Sequence, residues 1–235
     1  LKREKAALGF FISGHPLDRY REVVRAFEPV ATENLGDRAG QAVDLPCVVT
    51  SVQRQISRRD NSEWGKIIVE DFTGTATVLA FRDTWQKYKD VLEQDAVVLL
   101  SGKVSGRERD EEDPPVFLDA ARPLEEVTSG GELALQIELE LGSDVDSAVF
   151  ERAKIVMAEH PGPSPVWFQV GPDNGERAPR MRSRSLKVTP DNETLDELQK
   201  LFGRGNVRLV RAVIPAGDTS ASDRREFWRN KQQSG

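Results

Sequence analysis

Trp64-Gly65-Lys66-Ile67-Ile68-Val69-Glu70-Asp71-Phe72-Thr73-Gly74-Thr75-Ala76-Thr77-Val78-Leu79-Ala80-Phe81 is the stretch on which the fold turns. Residues 64–70 and 75–81 are strand-length runs, and Asp71-Phe72-Thr73-Gly74 between them has turn chemistry. Upstream, from Pro46, the apolar period is two: Val48, Thr50, Val52 and Ile56 fall on one strand face. That strand ends at Arg58-Arg59-Asp60-Asn61, a turn-like cluster. Downstream, residues 83–92 form a short helix in which Trp85, Tyr88 and Leu92 share a face. A fourth strand covers 96–104, and an acidic, proline-containing loop over 108–115 leads to a fifth at 116–121.

Three strands, a helix and two strands is the order of the OB-fold, a five-stranded, partly open barrel. Past Thr128-Ser129-Gly130-Gly131 the pattern restarts. Leu133, Leu135, Ile137, Leu139 and Leu141 alternate with Ala134, Gln136, Glu138 and Glu140, which predicts a strand. A helix over 146–159 follows, with Val149, Ala153, Val156 and Met157 inward, and Pro161-Gly162 stops it. Strands are predicted at 165–170 and 185–189. Pro190 then opens a helix with Thr189 as N-cap and Gly203 at its end. The last strand runs over 206–214. Strand, helix, strand, strand, helix, strand predicts a split βαβ, ferredoxin-like domain. Before the barrel, residues 1–30 read as helical, with Leu17, Tyr20, Val24 and Phe27 recurring at helical spacing until Pro29, and residues 31–45 serve as a connector. The fold class is therefore α+β. It comprises a helical segment and connector (1–45), an OB barrel (46–127), a ferredoxin-like βαββαβ domain (132–214) and a flexible tail (215–235).

The chain has 235 residues, 38% hydrophobic and 31% charged, with a net charge of −6. No apolar run approaches the ~18 residues that span a bilayer, so no membrane partner is expected. The start, Leu1-Lys2-Arg3-Glu4, is neither an initiator Met nor a signal peptide, and the chain reads as a fragment of something larger. A single cysteine, Cys47, excludes an internal disulfide and fits a reducing cytoplasm. His15 and His160 lie far apart, short of the set of ligands a structural zinc site uses, so no metal and no cofactor are expected. His15, in Ser13-Gly14-His15-Pro16, reads as a turn residue capping the next helix. Phosphate-cradling glycine motifs and nucleophile elbows are absent from the sequence. Glu70 and Asp71 are neighbours on a strand and point to opposite faces, so a hairpin turn is expected there and not a magnesium site. No catalytic residue is assigned.

Recognition remains. OB barrels commonly offer strands two and three, with the loops joining strands one–two and four–five, to single-stranded nucleic acid. Cations for phosphates on those elements are Arg54, Arg58, Arg59, Lys66, Arg82, Lys103, Arg107 and Arg109. Trp64, Phe72 and Phe81 are stacking candidates, although Phe81 reads better as core. Between Thr50 and Asp110 ten Lys/Arg balance ten Asp/Glu, so binding requires charge segregated onto one face and should be weak and salt-sensitive. The alternative is a protein–protein scaffold that binds no nucleic acid. A second basic stretch, Arg177, Arg180, Arg182, Arg184 and Lys187, falls on the expected hairpin of the last domain and suits a nucleic-acid backbone, an acidic partner or plain solvation.

Glu4-Lys5-Ala6-Ala7-Leu8-Gly9-Phe10-Phe11-Ile12-Ser13-Gly14-His15-Pro16-Leu17-Asp18 closely resembles a segment of the alpha subunit of bacterial DNA polymerase III, in its replicative form. The resemblance continues through Val69-Glu70-Asp71-Phe72-Thr73-Gly74, Lys87-Tyr88, Ser101-Gly102-Lys103-Val104 and Leu186-Lys187-Val188-Thr189-Pro190, covering roughly residues 1–214. It implies a C-terminal region in which the barrel lies near the template single strand and Arg58-Arg59 occupies a position the family makes basic. It also implies that the last domain docks to the clamp-loader tau subunit, and that the DNA-directed DNA polymerase active site lies upstream, in the remainder of the alpha subunit. Gln199-Lys200-Leu201-Phe202 is similar to a clamp-binding peptide, but its apolar residues are expected in the core.

Overall fold

The computed structural model describes residues 15–106, 113–140, 146–171 and 180–212. It opens on a helix cap. His15 Nδ1 accepts the Leu17 N–H at 3.1 Å, and the Asp18 carboxylate accepts the His15 N–H at 2.7 Å. This reciprocal box holds a 3-10 turn (Pro16–Tyr20) that passes into a six-residue helix, α1 (Arg21–Ala26). The helical segment expected over 1–30 is thus shorter within its described part. Residues 1–14 lie outside the described residues. The connector expected over 31–45 holds a second 3-10 turn (Thr32–Arg38) and the start of β1.

β1 (Ala42–Ile56) pairs antiparallel with both β2 (Glu63–Glu70) and β4 (Val97–Val104). β2 pairs with β3 (Thr75–Phe81), while β5 (Val116–Pro123) runs antiparallel to β4 and parallel to β3. The five strands close a barrel in the order β1-β2-β3-β5-β4. Val43, Leu45, Cys47 and Val49 point into it. A bulge between Val49 and Ser51 then shifts the register, so Val52 continues the inner row. Val48 consequently faces outward, and Ile56 is exposed. The single face expected for Val48, Thr50, Val52 and Ile56 is therefore broken. Between β3 and β4, α2 (Arg82–Tyr88) presses Trp85 onto Gly65, where any Cβ would lie 2.4 Å from ring carbons.

α3 (Leu124–Ser129) leads to a four-stranded sheet made from β6 (Leu133–Glu140), β7 (Pro161–Gly171), β8 (Arg180–Val188) and β9 (Val207–Arg211), in the order β8-β7-β6-β9. α4 (Ser147–Glu159) joins β6 to β7, and α5 (Asn192–Phe202) joins β8 to β9. β6 and β7 pair directly and in parallel. A ferredoxin-like sheet would insert β8 between them, so that expectation is corrected. The reason is in β8 itself: residues 180–182, 184, 185 and 187 are exposed, and a strand this polar on both faces is fit only for an edge. A second correction concerns α5, whose N-cap is Asp191, accepting the Thr194 N–H at 2.8 Å, and not Thr189. Gly203 ends α5 at φ +94° as expected.

Two apolar clusters result. One fills the barrel. The other runs without a break from Leu17, Val23, Val24 and Phe27 through Val48 and Leu99 on the outer barrel wall, then Leu124 and Val127 of α3, to the helix-covered side of the second sheet.

Candidate nucleic-acid interface

Inward residues of β2 are Gly65, Ile67 and Val69, and those of β3 are Ala76, Val78 and Ala80, all buried. Strand alternation then turns Trp64, Lys66, Leu79 and Phe81 outward. On β5, Val116 and Leu118 are buried and Phe117 between them is exposed. The register sets Trp64 opposite Phe81, Lys66 opposite Leu79, Leu79 opposite Phe117, and Phe117 opposite Lys103. The ring centroids of Trp64 and Phe81 are 5.7 Å apart, and those of Phe81 and Phe117 6.0 Å. The result is an aromatic strip across three strands with an ammonium group at either end. Phe81, expected in the core, is 44% exposed, because the buried alternation of β3 falls on Ala80. Phe117 was not among the candidates. Its signal is its place between two apolar residues of a strand next to Lys103.

Above this strip stands the β1–β2 turn. Ser57 donates its N–H to Ser62 O and accepts the Asn61 N–H at its own carbonyl. Asn61 takes a φ of 56°, which asparagine tolerates. Arg58 and Arg59 are exposed at the tip and make no ion pair among the described residues. Asp60 receives hydrogen bonds from Ser62 and Ser57, which hold its carboxyl well below the usual carboxylate range, and it pairs with Arg82. Arg54 pairs with Glu63, which also accepts from Gln86 at 3.0 Å. Burial raises Glu63, but the hydrogen bond from Gln86 and the charge of Arg54 outweigh it, and the group stays ionised. Exposed pairs of this kind contribute little to stability. Arg107 and Arg109 lie outside the described residues.

Phe72 is not part of the strip. It sits on the opposite hairpin end, beside His15 (5.2 Å) and under Arg21 (4.7 Å). Asp71 is spent on the β2–β3 turn, where its carboxylate accepts from Thr32, Thr73 and Gly74. Among the described residues no group of three metal-ligating side chains gathers. Cys47 is fully buried, which pushes its thiol up, out of the reactive range. The described part of the second basic stretch lies on β8, the strand that pairs antiparallel with β7. Arg180, Arg182, Arg184 and Lys187 lie on edge strand β8, with Arg180 over the Trp167 ring at 5.6 Å, while Arg177 lies outside the described residues. Phe202 of the clamp-like sequence is buried against Phe150 (5.8 Å), as its helical spacing required.

Residues 48–124 match the family described as OB-fold nucleic acid binding domain. Across 214 residues the chain is 26% identical to the DNA polymerase III subunit alpha of Vibrio cholerae, covering 89% of this chain and 18% of that protein. It is 29% identical over 212 residues to the same subunit of Mycobacterium tuberculosis, covering 87% of this chain and 17% of that protein. The chain is a relative of the DNA polymerase III alpha subunits. It spans less than a fifth of the length of these alpha subunits, and the part it spans contains the OB-fold. The SSB domain of a Synechococcus sp. protein overlaps 34% of the chain and 92% of that domain at 14% identity, with a TM-score of 0.31, a likeness too slight to argue from. No helix among the described residues is long and apolar enough to cross a membrane.

Proposed function

We propose that the chain is the C-terminal accessory region of a replicative DNA polymerase III alpha subunit, a cytoplasmic DNA-directed DNA polymerase whose catalytic domain lies elsewhere in the parent protein. In this reading the barrel holds single-stranded DNA, the template strand, and the second sheet docks to the clamp-loader tau subunit. The observation that carries the DNA-binding part is the strip Trp64–Phe81–Phe117 with Lys66 and Lys103 at its ends. Bases stack on rings and phosphates seek cations, and the strip supplies both across one barrel face, next to Arg58 and Arg59. Its chemistry is binding and positioning. The rings hold bases without reading them, and the lysines and arginines follow the backbone.

The charge balance of the barrel sets the strength. With Arg54 and Arg82 already facing carboxylates, few free cations meet phosphate, so affinity is modest and falls steeply with salt. The same two ion pairs favour the second reading, a barrel that serves only as a protein scaffold. Titrating the chain with a thymidine oligonucleotide across salt concentrations separates the two. Binding at low salt that weakens as salt rises supports the DNA reading, and absence of binding at any salt supports the scaffold. Arg58→Ala/Arg59→Ala is expected to lower affinity and to reduce the salt slope by about one per lost phosphate contact. Equal binding by that variant removes the turn from the interface.

A further inference from the structure

A cleft of about 700 Å³ opens between α1 and β9, away from the aromatic strip. Five guanidinium groups line it, brought from four places in the fold: Arg25 on α1, Arg180 on β8, Arg204 in the α5–β9 turn, and Arg208 and Arg211 on β9. Glu22 and Glu28 are its acidic lining, so the lining carries five positive and two negative groups, a net of three positive charges. Carboxylates already sit on three of these arginines. Glu22 meets Arg25 at 2.6 Å, Glu138 meets Arg208 at 2.5 Å and Asp44 meets Arg211 at 3.0 Å. Arg204 has no ion pair among the described residues, and Arg180 lies over the Trp167 ring. Among the described residues two guanidiniums in one concavity are thus left without a carboxylate, beside three that show how the wall holds one. All five residues of β9 line the cleft, and β9 ends its sheet; Val207 and Leu209 turn into the core, and half-buried Val210 stands between the exposed Arg208 and Arg211.

We propose that this cleft binds an extended acidic peptide segment of another protein, its carboxylates on Arg180 and Arg204 and its chain along β9. Arginine takes carboxylates bidentately and is enriched at protein interfaces, whereas a nucleic acid needs what the cleft lacks. Phe27 in its wall is buried and already faced by Arg211 at 5.0 Å, leaving no exposed ring for a base. The proposal rests on the docking role of the second sheet and gives that role a site and a partner chemistry.

The test uses the full chain and a fluorescent oligoglutamate peptide. Arg180→Glu/Arg204→Glu, and the milder Arg180→Ala/Arg204→Ala, should each weaken binding about tenfold or more. Arg38→Glu/Arg152→Glu, both exposed and outside the cleft, should leave it unchanged. Equal loss in that control pair, no loss in the cleft pair, or no binding by the intact chain overturns the proposal. Capture of tau by the intact chain reads the docking role separately. Failure of capture while oligoglutamate binding remains specific to the cleft pair sinks the tau assignment and leaves the acidic-peptide site standing.

Discussion

Asp71 shows how much a single short side chain settles. Its carboxylate accepts the backbone N–H groups of Thr32 (2.9 Å), Thr73 (2.7 Å) and Gly74 (3.0 Å), tying the 3-10 turn before β1 to the β2–β3 hairpin. Burial raises its pKa, but the hydrogen bonds from Thr73 and Thr32 outweigh that and leave it below the usual carboxylate range. A carboxyl lowered on folding stabilises at pH values above its unfolded pKa, and that contribution disappears as pH falls through the folded one. Asp71→Asn should therefore lower the free energy of unfolding at neutral pH by about 1–3 kcal/mol, with the gap to the parent closing as pH falls below the usual carboxylate range. A gap that stays constant into acid would contradict this account of the turn. The sequence made the turn legible, since Asp-Phe-Thr-Gly has the right chemistry. It did not make Phe81 legible. A large aromatic residue in an apolar strand reads as core, and only the register, with Ala76, Val78 and Ala80 inside, sends it outward.

At the scale of elements, the barrel strands and the crossing helix follow from period-two runs and turn residues, and they form in the expected order. What local pattern could not supply was partner choice. The bulge after Val49 swaps the faces of β1, and no residue there announces it. β8 begins at Arg180 within a run of arginines and serines whose strand propensity is weak; pairing with β7 imposes the extended form. Its polarity could nonetheless have argued for an edge, and thus against a split βαβ order. Close packing between elements is concentrated at glycines. A Cβ on Gly102 of β4 would lie 2.4 Å from the Phe117 carbonyl oxygen and 2.9 Å from a Val116 methyl. Gly102→Ala should destabilise the barrel by about 1–3 kcal/mol in thermal or denaturant melts, while Gly36→Ala, with nothing within 4 Å, should not. Equal melting of the two variants would mean that β4 and β5 are less tightly apposed than described.

Across the whole molecule, one apolar cluster links the outer barrel wall to the second sheet through α1 and α3, so the two halves should melt together. Leu124, fully buried in that cluster, is the probe: Leu124→Ala should cost about 2–5 kcal/mol and lower a single transition seen alike by fluorescence and circular dichroism. Two separated transitions in the parent chain would show that the cluster does not couple them. The same cluster ties the half that carries the aromatic strip to the half that carries the arginine cleft. In the proposed reading the strip holds single-stranded DNA. Its most direct test is the affinity of Phe81→Ala/Phe117→Ala for a thymidine oligonucleotide, followed across salt beside the parent. Loss of about 1–3 kcal/mol per ring with an unchanged salt slope is the predicted result, because stacking is removed while phosphate contacts remain. Parental affinity in the double variant would contradict the claim.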